Sequence, residues 1–165
     1  MAFDQAEHIK DLIHEGKAFH VHGTPTITTE VPTYTFIGIV GAIPAHFHDL
    51  TFDAAAGPML IELIEDPSVT VPGTAVPIFN RRRDSRNAPN LKAYSGATVT
   101  GGTVIDSQKI FGTSSGINTS GDQGIIGGEW VLAPGLTYAV RITNQTSPLE
   151  DVIVDVELDF YEELL

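Results

Sequence analysis

From Ala18 onward the apolar positions recur with a period of two, the spacing of extended chain. The pattern is clearest near the C-terminus. There Val152, Val154, Val156, Leu158 and Phe160 fall on one face, and Ile153, Asp155, Glu157, Asp159 and Tyr161 on the other. The first set predicts a core face, and the second a face turned to solvent or to another subunit. So apolar a segment also predicts a strand deep in a sheet or at a subunit contact, because edge strands are usually blunted by charge. Runs rich in Val, Ile, Thr, Phe and Tyr, broken by Gly and Pro, predict further strands. They are Ala18–His22, Thr26–Thr29, Thr33–Val40, Ala45–Phe52, Met59–Glu65, Val76–Asn80, Leu91–Tyr94, Thr103–Phe111, Gly128–Leu132 and Thr137–Thr143. With Val152–Tyr161 that makes eleven, one or two more than the fold is expected to keep. Only Asp4 to Glu15 has helical spacing, through Phe3, Ile9, Leu12 and Ile13, with Asp4 as N-cap and Gly16 as stop.

Turns are marked at Asp66-Pro67, Val71-Pro72-Gly73-Thr74, Ala133-Pro134-Gly135 and Thr146-Ser147-Pro148. Many short strands with almost no helix and no βαβ alternation predict an all-β sandwich or barrel. With no internal repeat and no proline-rich linker, the expected organisation is an N-terminal helical arm over residues 1–17 and one β domain over 18–165. Gly96 to Gly128 holds nine of the sixteen glycines and reads as a long projecting loop that orders against a neighbour. Val104, Ile105, Ile110 and Phe111 predict a strand within it.

The 165 residues suffice to bury roughly two thirds of the unfolded surface without staples, in keeping with the absence of cysteine. Without cysteine there is neither disulfide nor thiolate chemistry. The N-terminal stretch mixes acids, bases and histidines, so no signal peptide is expected, and no window has the length of a membrane span. A formal charge of −12 repels phosphate and argues against nucleic-acid binding. One local exception stands out: Arg81, Arg82, Arg83 and Arg86 account for four of the nine basic residues. Guanidinium forks suit bidentate contact with carboxylates, so these four are candidate partner-contact residues; the competing reading is a solvated turn.

Neither G-x-S-x-G nor S-x-x-K occurs, no glycine loop leads into a helix as a phosphate site does, and the acids are scattered. No catalytic residue is therefore expected. The sharpest chemical pattern is two H-x-H pairs, His20-Val21-His22 and His46-Phe47-His48, which on a strand place both imidazoles on one face. With Gly41 upstream and Asp53 after it, the second pair resembles the first cupin motif. The segment from Gly128 to Gly135 resembles the opening of the second motif, but no histidine follows it. A cupin-type metal set would need His20 or His22 to join His46 and His48. The reading preferred here leaves the histidines at ordinary half-exposed sheet positions, with no metal or other cofactor.

Three further stretches carry a second resemblance. They are Ile13-His14-Glu15-Gly16 with Phe19, then Pro72-Gly73-Thr74-Ala75-Val76 leading to Asn80-Arg81-Arg82-Arg83-Asp84-Ser85, and a C-terminal block. That block runs from Gly128-Glu129-Trp130 through Leu136-Thr137-Tyr138 and Arg141-Ile142-Thr143-Asn144 to Phe160-Tyr161-Glu162. Together they resemble the jelly-roll decoration, or cement, proteins of tailed bacteriophages. The resemblance implies a jelly roll and a non-enzymatic homotrimer that contacts the major capsid protein on the exterior of the virion. The arm and the glycine-rich loop would then be the segments that reach a neighbour. Two alternatives stay open at this point: a cupin-like metal protein using the H-x-H pairs, and a trimeric fibre head or receptor-binding domain.

Overall fold

The computed structural model describes residues 5–111, 129–147 and 149–163. One helix, α1 (Gln5–Glu15), precedes fourteen strands among these residues. They are β1 (Ala18–Gly23), β2 (Thr26–Ile27), β3 (Thr33–Ile39), β4 (Ala45–Ala54), β5 (Met59–Glu65), β6 (Ser68–Val71), β7 (Thr74–Val76), β8 (Phe79–Asn80), β9 (Lys92–Ser95), β10 (Thr98–Thr100), β11 (Thr103–Ile110), β12 (Trp130–Leu132), β13 (Thr137–Asn144) and β14 (Val152–Glu162).

The strands form two main sheets, ordered β12-β4-β14-β1-β8 and β11-β5-β13-β3-β9-β7, with β2 beside β14 and a small separate β6-β10 ladder. Every pairing is antiparallel. Four pairings define the winding: β1 with β14, β3 with β13, β4 with β12, and β5 with β11. Successive pairs in that series alternate strictly between the sheets, β1–β14 and β4–β12 in the first, β3–β13 and β5–β11 in the second. The result is β1-β14-β4-β12 facing β3-β13-β5-β11, the rolled double ribbon of a jelly roll. β14 lies at the centre of its sheet, between β1 and β4, as its apolar alternation predicts.

The space between the sheets is filled from both sides. Leu50, Phe52, Val154 and Val156 of the first sheet meet Ile61, Leu63, Val140 and Ile142 of the second. At the other end Phe19, Phe47 and Phe160 pack with Val40, Leu91 and Tyr138. The inward set on β4 changes parity between Phe47 and Leu50, because Phe47 pairs with Phe160 while Asp49 pairs with Asp159. His48 is the extra residue of this bulge, so His46, His48 and Asp49 crowd onto the outer face.

Helix α1 ends as Gly16 predicts. Gly16 takes φ +72°, its N–H donates to Ile13 O at 3.0 Å, and Lys17 N–H donates to Leu12 O at 2.9 Å, the two bonds of a Schellman stop. A Cβ on Gly16 would also clash with Ser85 Oγ. Gly16→Ala is therefore expected to cost more than the roughly 1 kcal/mol of a simple left-handed glycine replacement, read as a lowered urea midpoint. The helix docks on its own domain, with Leu12 buried beside Ala18 and Tyr161. That contact also covers Tyr161, which the alternation had placed on the exposed charged face.

Three more sequence expectations are corrected. The strand expected at 76–80 is two strands in different sheets, because Pro77 breaks it where the chain crosses from one sheet to the other. β6 and β10 carry no strand signal in the sequence: every position of β6 is exposed, so it has no buried face to alternate with. The strand count accordingly rises instead of falling. Within Gly96–Gly128, the expected strand is present as β11, while residues 112–128 lie outside the described residues. The proposed N-cap, Asp4, and Pro148 of the last predicted turn also lie outside them.

Candidate functional site

The chemistry-bearing side chains gather on the outer face of the first sheet. Phe19 and Val21 point into the core, which leaves His20 and His22 on the other side of β1. Cross-strand register sets them opposite Asp159 and Glu157 of β14. His20 Nδ1 lies 2.8 Å from Asp159 Oδ1, and His22 Nε2 lies 2.6 Å from Asp155 Oδ1. Asp159 also receives Arg81 at 3.3 Å, so it carries two basic partners.

Toward α1, the face closes over. His46 is buried and stacks on Tyr161 with ring centroids 4.5 Å apart. Its Nδ1 lies 2.7 Å from Glu129 Oε1, the same oxygen that accepts a hydrogen bond from the Tyr161 hydroxyl. A carboxylate only accepts, so Nδ1 carries the hydrogen and Nε2 is left buried without a hydrogen-bond partner among the described residues. Burial would raise the Glu129 carboxyl, but the hydrogen bonds from Tyr161 and His46 outweigh it and hold it below its ordinary value. Burial, reinforced by Glu129, pushes the Tyr161 hydroxyl well above the usual phenol range.

His48 has a buried, unpartnered Nε2 as well. Burial pushes its imidazole below the ordinary 6.5, and Arg81 adds to this, while Asp159, Asp49 and Glu129 partly oppose it. Below about 6.5 the unfolded chain takes up this proton before the folded one does. Stability is thus full above that pH and falls as pH drops toward the lower folded value. Unfolding midpoints measured across this window should decline on acidification, and His48→Gln should flatten that limb.

The four arginines do not act as one group. Arg81 belongs to Asp159. Arg82 forms a fork with Asp84, Nε to Oδ1 at 2.8 Å, and reaches His14 O at 2.5 Å, tying the loop to the end of α1. Arg83 lies over the Phe79 ring at 5.6 Å, and Arg86 lines an open groove of about 550 Å³ with Lys17, Asn87 and Glu162. Neither Arg83 nor Arg86 has a carboxylate partner among the described residues. Glu162 was not singled out by its sequence, yet it is buried and accepts from Asn90 N, Asn90 Nδ2 and Leu91 N at 2.9, 3.2 and 2.7 Å.

The two H-x-H pairs are not brought together, because β14 runs between β1 and β4. The four imidazoles therefore do not form the joint set that a cupin-type site requires. Among the described residues, the three metal-ligating side chains whose donor atoms lie within 4.8 Å of one another are His22, Asp155 and Glu157. Comparison with family models, with curated proteins and with solved structures returns no match.

Proposed function

We propose that this chain is a non-enzymatic virion protein that sits as a homotrimer on the outer surface of a tailed-bacteriophage capsid and stabilises it through contact with the major capsid protein. The observation that carries this reading is a jelly roll closed around an apolar interior. The cavity between the sheets is only about 50 Å³ and is lined by residues such as Val21, Phe47, Leu63 and Val156, too little room for a substrate. Charged and polar groups lie instead on the outer sheet face and in the turns. A molecule built this way acts through its surfaces, and a closed ring of copies covers strand edges without open-ended polymerisation.

Arg83 and Arg86 are the cations placed to meet partner acids, since Arg81 and Arg82 are held by their own chain. The test is sedimentation with capsids assembled from the major capsid protein of the encoding phage. The wild type should pellet with the particles, and Arg83→Ala with Arg86→Ala should weaken docking by about tenfold or more. Failure of the wild type to pellet at any salt concentration would overturn the proposal.

A further inference from the structure

We infer that the outer sheet face carries a divalent transition-metal site, formed by His22 of β1 and by Asp155 and Glu157 of β14, with Zn²⁺ as the fitting ion. Strand register brings the three side chains together. His22 pairs directly with Glu157, and Asp155 lies two residues along the same strand, so all three side chains leave the same face of adjacent, hydrogen-bonded strands. One nitrogen and two carboxylate donors converge within 4.8 Å of one another. The set is open to solvent, with the His22 and Asp155 side chains 44% and 47% exposed, so an ion can enter and water can complete its shell. A mixed imidazole and carboxylate set suits Zn²⁺ better than Mg²⁺ or Ca²⁺, which favour oxygen alone.

The electrostatics of the neighbouring strand point the same way. Along the β4–β14 seam, Asp53 stands directly opposite Asp155 and Asp49 directly opposite Asp159, like charges in a position where they repel. At the Asp159 end that repulsion is relieved by Arg81 and His20. At the Asp155 end, among the described residues, no lysine or arginine pairs with Asp53, Asp155 or Glu157, and His22 is the basic group in contact. A dication bound there offsets three carboxylates and clamps β1 to β14.

The site does not depend on the capsid reading, and its test does not use a capsid. Zn²⁺ is titrated by calorimetry into untagged protein in chelator-free buffer, with thermal unfolding followed in parallel. The wild type should bind one Zn²⁺ per chain and unfold at a higher temperature when loaded. His22→Ala and Glu157→Gln, both at exposed positions, should each weaken binding about tenfold or more and remove the thermal shift. His20→Ala and His48→Ala should leave binding intact. Absence of binding by the wild type would overturn the inference, as would binding that survives His22→Ala but is lost in His48→Ala.

Discussion

Replacing Phe160 by alanine is expected to cost about 3–5 kcal/mol, a large share of the total stability of an ordinary domain. Phe160 is fully buried in the central strand β14, with its ring stacked on Phe19 at 5.3 Å and tilted against Phe47 at 6.0 Å. These three rings come from three adjacent strands, so no single side chain can move in to fill the void. The site also lies where the β4 bulge shifts the register, and Asp159 and Tyr161 flank it on the outer face. Urea unfolding measures the loss. Phe160→Leu, which keeps much of the volume, should recover more than half of it. A loss under about 1 kcal/mol for the alanine variant would show that the core at this end is not close-packed.

The second large effect is expected at Glu162. Its carboxylate satisfies two backbone N–H groups and one side-chain amide, and so fixes the segment leading into β9 to the end of β14. Alanine leaves the Leu91 N–H without a partner in a buried setting and returns the part-buried Asn90 donors to water in the adjoining groove. At about 1–3 kcal/mol for one unsatisfied buried donor, with the two Asn90 donors largely recovered by water, the expected loss is about 2–3 kcal/mol. Glu162→Gln keeps one acceptor oxygen and should lose less. Amide exchange would locate the change: protection should fall first at Leu91 and along β9. Uniform loss over the whole sheet would contradict this assignment of Glu162 as a local tie.

Much of the fold is legible in the sequence because the strands that make the sandwich each bury one face. β14 is read almost to the residue, since Val154, Val156, Leu158 and Phe160 alternate with Asp155, Glu157 and Asp159. The pattern gives way where a local feature breaks the period of two. At the β4 bulge the inward parity shifts, and nothing in Phe47-His48-Asp49 announces it. At Tyr161 the docking of α1 converts an outward position into a buried one, a tertiary effect that alternation does not encode. β6 escapes notice because every position of it is exposed, and β10 because Val99 is the single part-buried position in three residues.

The candidate site is legible in its parts but not in its connections. The H-x-H spacing places His20 with His22 on one face, and His46 with His48. It does not say that β14 will lie between the two pairs, and so it suggests a joint metal set that register forbids. The same register supplies what spacing could not, since Asp155, Glu157 and Asp159 reach the histidines of β1 only through pairing across more than a hundred residues of chain. Likewise the arginine cluster reads as a unit, although Arg81 and Arg82 are held by Asp159 and Asp84. Only the folded chain separates them from Arg83 and Arg86.

The mass of the untagged protein in solution, measured by light scattering across a concentration series, tests the central claim most directly. A homotrimer of three times 17.7 kDa, unchanged by dilution through the micromolar range, is the predicted result. A monomer throughout that range would contradict the account.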